Sequence, residues 1–179
     1  MKQLLFFLFA MVATVFTTEA QQNQPAPSPA AKVHQTVGLT DFVVEYSRPG
    51  KKDREIMGGL VPYGQKWRAG ANAATKLTCS TECTIGGAKL AAGSYAVLIT
   101  PNKDKWTLHF YPYEGSRWTS YRDSDVKPIN ATSSEIVEMP WDVETFAIAF
   151  NNLRNESATL HFIWERVNVV FPVTVPAAK

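Results

Sequence analysis

The sequence lacks the motifs that most often reveal an enzyme. Its 179 residues contain no Gly-x-Ser-x-Gly elbow, no phosphate-binding glycine loop and no His-Glu-x-x-His pair. Three histidines and two cysteines are present, and none of them forms a run with the ligand spacing of a metal site. No two carboxylates stand out as an acid–base pair. The sequence therefore argues against an enzyme without deciding the question, and it predicts neither a metal nor another cofactor.

Strong charge and long apolar runs are almost as scarce. The formal net charge at pH 7 is +2, which is too small to indicate a nucleic acid as a partner. Residues 4–16 form the one long apolar run, between a lysine at position 2 and the small-x-small sequence of residues 18–20. This order predicts a signal peptide, residues 1–20, cleaved after Ala20. We expect a secreted or periplasmic protein with no lipid anchor and no transmembrane segment after cleavage.

Composition divides the rest of the chain into a linker and one domain. Residues 21–32, QQNQPAPSPAAK, are polar and rich in proline, and they predict a flexible linker. Residues 33–179 have the usual length of a single domain. A domain of this size can bury a core without a disulfide framework or a structural metal.

Alternating apolar and polar residues predict strands along this domain. Trp106, Leu108 and Phe110, for example, fall on one face of a predicted strand. Two long segments, 157–165 and 167–174, predict separate strands near the end of the chain. We predict an all-β, single-domain antiparallel β-sandwich, jelly-roll-like, with nine or ten strands and at most one short helical turn near residues 54–60.

Cys79 and Cys83 are the two cysteines, and in an oxidising compartment such a pair is a candidate disulfide. Residues four apart on one continuous strand lie about 13 Å from each other, which is too far for a bond. A disulfide therefore requires a turn at residues 80–82. The alternative is two buried free thiols.

Two long connections between predicted strands combine basic and aromatic side chains. Residues 48–72 carry an excess of four positive charges, and residues 111–123 hold four aromatic side chains and two arginines. Guanidinium groups recognise carboxylate or phosphate, while tryptophan and tyrosine rings offer flat faces to sugars. The two connections predict one aromatic and cationic cleft if they emerge at the same end of the sandwich. The candidate ligand-binding residues are Arg48, Tyr63, Trp67, Arg68, Asn72, Trp118 and Tyr121.

A structural interpretation of residues 61–75 stays open beside this one. In that interpretation the segment caps one end of the sandwich, Trp67 fills an apolar gap and Arg68 bonds to backbone carbonyls. Long ordered connections are often functional, but they also close the ends of β-sandwiches.

Four segments occur in a distinctive order. They are SPAAKVHQTVG (28–38), VEYSRPGKKDREIMGGLVPYGQKWRAGANAATKL (44–77), TIGGAKLAAGSYAVLITPNKDKWTLHF (84–110) and VETFAIAFNNLRNESATLHFIWERVNVVFPV (143–173). Together they resemble a bacterial family, the domain of unknown function 2911 (DUF2911), whose members are mostly secreted proteins of Bacteroidetes-type bacteria. The resemblance implies a secreted all-β domain and supplies no catalytic residue. It also implies that the WRAGAN element belongs to the family's common architecture, whereas the cysteine pair is particular to this chain.

Three functions remain open from the sequence. The first is a noncatalytic binding domain for a glycan or another polar or anionic ligand. The second is a structural or interaction domain that binds a protein of the cell envelope through exposed aromatic residues or a sheet edge. The third is a hydrolase that uses two carboxylates, although no residue pattern singles it out.

Overall fold

Ten β-strands make up most of the described chain. A computed structural model of the protein describes residues 25–177. The predicted signal peptide, residues 1–20, and the start of the predicted linker, residues 21–24, lie outside the described residues. The strands are β1 (Ala30–Val37), β2 (Thr40–Ser47), β3 (Thr75–Cys79), β4 (Cys83–Ile85), β5 (Ala88–Leu90), β6 (Gly93–Thr100), β7 (Thr107–Pro112), β8 (Ile129–Thr132), β9 (Glu135–Asn151) and β10 (Ser157–Thr174), and the helix is α1 (Trp118–Arg122).

The strands form two antiparallel sheets that pack as a sandwich. The six-stranded sheet has the order β1-β2-β3-β6-β7-β8, and the four-stranded sheet has the order β5-β4-β10-β9. The chain passes from the first sheet to the second between β3 and β4, and again between β8 and β9. The predicted all-β sandwich of nine or ten strands is confirmed.

Alternation along the strands places one face of each sheet in a shared core. Leu108 and Phe110 of β7 are fully buried in the same cluster as Phe146 of β9 and Phe162 and Trp164 of β10. Burial of one large apolar side chain stabilises a fold by about 1.5–3 kcal/mol. This set of side chains therefore holds the two sheets face to face.

The short helix lies elsewhere than the sequence predicts. Residues 54–60 form turns and no helix, because Gly58 adopts a φ of 93° and interrupts a right-handed helical path. The helix is α1, which has five residues and buries Tyr121 against the outer face of the six-stranded sheet. Within residues 25–177, no helix is long and apolar enough to cross a membrane.

Two strand boundaries also differ from prediction. β1 begins at Ala30, so residues 30–32 of the predicted linker belong to a strand that pairs with β2. β10 runs continuously through the two segments predicted as separate strands, with register shifts on both sides of Glu165. Glu165 has a φ of 53°, and pairing with β9 continues beyond it. The chain therefore bends at a bulge without ending the strand.

The chain itself covers part of the outer face of the six-stranded sheet. Ala96 and Leu98 of β6 and Tyr111 of β7 belong to a second, smaller buried cluster. Tyr121 of α1 and Ala74 complete this cluster. Helix α1 and the segment before β3 thus converge on the outer face of the sheet, where the candidate site lies.

Candidate functional site

One residue of the segment before β3 pairs with the six-stranded sheet. The backbone N–H groups of Trp67 and Ile99 each donate to the other residue's carbonyl oxygen at 2.7 Å. The side chain of Trp67, like that of Ile99, packs against the main core. Because successive side chains of an extended segment alternate in direction, Lys66 and Arg68 project towards the outer face.

A tight turn follows Arg68 and depends on Gly70. The φ angles of Ala69 and Gly70 are 53° and 149°. A Cβ atom on Gly70 would lie 2.8 Å from the carbonyl oxygen of Ser47, a separation that real Cβ atoms essentially never show. The Thr75 hydroxyl donates to the carbonyl oxygen of Ala69 at 2.7 Å and holds the turn in place. The turn therefore fixes the direction in which the Arg68 side chain leaves the backbone.

Trp67 is part of the structure of the core. Its ring centroid lies 5.0 Å from that of Phe146 and 5.8 Å from that of Trp164, and the planes of the two indoles differ by 20°. The side chain is half-buried. The Trp67 side chain therefore fills space in the apolar core between the two sheets.

Five side chains meet on the outer face, and we call them the outer-face cluster: Lys66, Arg68, Tyr111, Trp118 and Arg122. The guanidinium carbons of Arg68 and Arg122 each lie 4.8 Å from the centroid of the Trp118 ring. Lys66 Nζ donates a 2.8 Å hydrogen bond to the Tyr111 hydroxyl. Cations close to an aromatic face are attracted by the quadrupole of the ring. The cluster thus gathers three cations around two aromatic rings.

Among the three cations of the cluster, Arg68 is the one with a buried N–H group that has no hydrogen-bond partner within the described residues. Its Nε is the one buried side-chain nitrogen or oxygen atom without a hydrogen-bond partner among residues 25–177. Arg122, by contrast, pairs with Asp123 through bonds of 2.7 and 2.8 Å. Burial lowers the pKa of Arg68 from its ordinary value, although an arginine stays protonated at neutral pH. An unpaired buried donor costs about 1–3 kcal/mol.

A fixed, neutral histidine lies beside the cluster. Because Asn130 Oδ1 can only accept, His109 Nδ1 donates to it at 2.8 Å, and Nε2 accepts from the Thr100 hydroxyl at 2.8 Å. Burial lowers the pKa of His109, and the positive charge of Lys66 lowers it further. Both ring nitrogens are therefore occupied. Across residues 25–177, no group of three or more His, Cys, Asp or Glu side chains is placed to hold a metal ion.

Tyr121 connects α1 to the loop before it. Its hydroxyl accepts from the backbone N–H groups of Glu114 and Gly115 at 2.8 and 2.9 Å, and it donates to the Gly115 carbonyl at 2.7 Å. Three hydrogen bonds saturate the hydroxyl, so Tyr121 shapes the site without offering a free polar group. A pocket of about 320 Å³ opens beside the cluster, and its walls include Tyr111, Ser116, Arg117, Ser120, Tyr121 and Val126.

Three of the predicted site residues make contacts elsewhere. Arg48 Nε donates to the Phe146 carbonyl at 2.9 Å, and Asn72 Nδ2 donates to the Ser28 carbonyl at 3.1 Å. Both bonds connect distant parts of the chain. Tyr63 is 41% exposed and lines a separate groove of about 430 Å³, whose walls include residues of the β6–β7 connection, β9 and β10. A single cleft lined by all seven predicted residues is therefore not observed.

The structure brings Arg68, Trp118 and Tyr121 together on the outer face. The predicted set omits two members of the outer-face cluster from residues 111–123, Tyr111 and Arg122, and it also omits Lys66. The polar–apolar–polar order of residues 66–68 is the signal that could have found it, since alternation places Lys66 and Arg68 on one face.

The fold and the cluster define a ten-stranded β-sandwich domain with a cationic and aromatic surface site. The family model described as a protein of unknown function (DUF2911) matches residues 28–173, so the chain belongs to this family. No curated protein matches the chain significantly, and neither does any solved structure. Because the family description names no activity, the outer-face cluster is the guide to function.

Proposed function

We propose that the protein is a secreted or periplasmic noncatalytic domain that binds an anionic ligand at the outer-face cluster. The observation that carries the proposal is the buried Nε of Arg68, which has no hydrogen-bond partner in the described chain. A carboxylate, phosphate or sulfate oxygen would accept from this N–H group. Ligand binding would then offset the cost of about 1–3 kcal/mol that an unpaired buried donor carries.

The local charge supports an anion. Lys66, Arg68 and Arg122 are three cations, and the carboxylate of Asp123 pairs with Arg122. The ion pair with Arg122 and the positive charge of Lys66 both lower the pKa of Asp123. The group keeps an excess of positive charge after this pairing, and charge-assisted hydrogen bonds are roughly twice as strong as neutral ones.

The aromatic contacts favour an acidic ligand over a neutral sugar. A neutral sugar would stack on an open aromatic face, yet the Trp118 ring already carries the guanidinium groups of Arg68 and Arg122. Trp67 packs against the core and Tyr121 is buried. If the ligand is a glycan, we therefore expect one that bears carboxylate, phosphate or sulfate groups.

Isothermal titration of the purified chain tests the proposal with three probes: inorganic phosphate, polygalacturonate as an acidic polysaccharide, and dextran as a neutral one. We expect binding of at least one acidic probe and no binding of dextran. Arg68→Gln should weaken the acidic interaction at least tenfold, which is about 1.4 kcal/mol. The same substitution should change thermal stability little, since it removes the unpartnered buried Nε donor and also the contact of the guanidinium group with the Trp118 ring.

Arg154→Gln is the matched control. Arg154 is exposed near the β9–β10 connection, and its side chain bonds to the carbonyl of Leu153. The variant loses one positive charge without touching the cluster, so acidic probes should bind it as they bind the wild-type protein. If Arg68→Gln binds the acidic probe as tightly as Arg154→Gln does, Arg68 is not the anion contact. The same conclusion follows if neither variant binds more weakly than the wild-type protein.

A second function, a protein-interaction domain of the cell envelope, is favoured by Trp141. Its side chain is 64% exposed in β9, an edge strand of the four-stranded sheet. Tryptophan is enriched among the side chains that carry most of the binding energy at protein interfaces. Immobilised protein exposed to an envelope extract tests this function. A specific partner should bind immobilised Arg68→Gln but not immobilised Trp141→Ala. Equal binding to both variants would count against an interface at Trp141.

A further inference from the structure

The two cysteines lie where the chain crosses between the sheets. Cys79 is the last residue of β3 in the six-stranded sheet, and Cys83 is the first residue of β4 in the four-stranded sheet. Residues 80–82 form the change of direction that a bond between them requires, and the Ser80 N–H donates to the Asp41 carbonyl at 3.0 Å. Both cysteines are buried and free, so this structure shows the reduced pair.

The two thiols are neighbours within the buried core. A hydrogen bond between them lowers the pKa of Cys79 to about 7, and the same bond together with burial raises the pKa of Cys83. Cys79 Sγ also lies 3.3 Å from the carbonyl oxygen of Ala91, which accepts from the Tyr95 hydroxyl at 2.9 Å. Thiolates are the attacking species in disulfide exchange. The pair therefore combines proximity with one sulfur whose pKa is lowered.

The segment that begins at Cys83 is a small hairpin with few bonds to its sheet. β4 and β5 pair over three residue pairs, and β4 joins β10 through two pairs, Ile85 with Val173 and Thr84 with Thr174. A surface groove of about 420 Å³ runs along this hairpin and includes Cys83 in its lining. A covalent bond to β3 would add a strong attachment to a hairpin whose apolar side chains are buried in the main core but whose backbone has few bonds to its sheet.

We propose that Cys79 and Cys83 form a reversible disulfide that fastens the β4–β5 hairpin to the end of β3. The oxidant is a molecule that carries a disulfide. One cysteine thiolate attacks that disulfide, forms a mixed disulfide and releases one thiol. The other cysteine loses its proton and displaces the second thiol. The pair gives up two electrons and two protons, and the oxidant becomes two thiols.

Mass spectrometry of the folded chain in mixtures of oxidised and reduced glutathione tests this site. We expect an intact mass lower by two hydrogens, a peptide in which Cys79 is linked to Cys83, and full reversal by dithiothreitol. Closing a loop of about five residues shifts the unfolding equilibrium about 30-fold. Hydrogen exchange of β4 and β5 amides should therefore slow by up to about 30-fold on oxidation, while exchange in β9 changes less.

Two free, alkylatable thiols after incubation with the oxidant would overturn the proposal. A stable glutathione adduct on either cysteine, without the internal bond, would also overturn it. A disulfide that leaves exchange in the hairpin unchanged would refute the fastening role. The comparison uses two redox states of the wild-type chain, so it does not depend on the folding of a variant. The double variant Cys79→Ser, Cys83→Ser serves as the control, because glutathione should not alter its hydrogen exchange.

Discussion

Trp67→Ala should destabilise the protein strongly, although the residue lies in a connection and is partly exposed. The Trp67 ring packs between Phe146 of β9 and Trp164 of β10, at centroid distances of 5.0 and 5.8 Å. The substitution removes both aromatic contacts and opens a cavity at the edge of the main core. It also leaves the backbone pairing with Ile99 in place, so the loss reports the side chain alone.

The magnitude follows from the degree of burial. Replacing a buried tryptophan or phenylalanine by alanine costs about 3–5 kcal/mol. We place Trp67 at the lower end, at about 3 kcal/mol, because its ring is partly exposed. In a domain of this length, 1 kcal/mol corresponds to about 2–4 °C in Tm, so Tm should fall by about 6–12 °C.

Urea denaturation and thermal unfolding of the variant, measured beside Trp141→Ala, test this prediction. Trp141 is 64% exposed, so the same substitution there should change the free energy of unfolding by less than about 0.5 kcal/mol. A loss below about 1 kcal/mol for Trp67→Ala would refute the inward packing of this side chain. Equal losses for the two variants would do so as well.

Two further predictions concern the surroundings of the cluster. Tyr121→Phe should lower the free energy of unfolding by about 1–3 kcal/mol in urea denaturation, because the backbone groups of residues 114 and 115 lose their shared partner; an unchanged midpoint would contradict this. His109 has a pKa lowered by burial, so its contribution to stability is complete above its ordinary pKa of 6.5 and is lost as the pH falls below that value. His109→Gln should therefore lose less stability than the wild-type protein between pH 7.5 and pH 5.5, and identical pH profiles would refute this linkage.

Local pattern explains why most of the fold could be predicted. Trp106, Leu108 and Phe110 alternate with polar residues, and all three are buried. The Gly86-Gly87 pair forms the two-residue turn of the β4–β5 hairpin, with φ angles of 53° and 85° that glycine adopts without strain. These features depend on neighbours in the chain, so the sequence carries them directly.

The site could be predicted less well because its contacts are non-local. Arg68 and Trp118 are 50 residues apart in the sequence, and the folding of α1 onto the outer face brings them together. Arg48 lies in the same basic connection as Arg68, but its side chain donates to the carbonyl of Phe146 in β9 and does not join the cluster. Charge and aromatic content therefore identified both connections, but the topology of the sheets decides which side chains meet.

The WRAGAN element combines a structural side chain with a functional candidate. Alternation about the Trp67–Ile99 pairing directs Trp67 into the core and Arg68 to the outer face. The adjacent turn at Ala69 and Gly70 is held by the Thr75 hydroxyl. The cap interpretation thus fits Trp67, and the proposed binding site uses the next residue, Arg68.

The central claim is that Arg68 binds an anion through its Nε–H group. The NMR signal of that group tests the claim most directly. In a ¹H–¹⁵N spectrum this signal is assigned by its absence from Arg68→Gln, and the wild-type protein is then titrated with inorganic phosphate at constant ionic strength. We predict a saturable downfield shift of the Nε proton, as the buried donor gains an acceptor. A signal that stays in place, or that moves equally with chloride, would contradict the account.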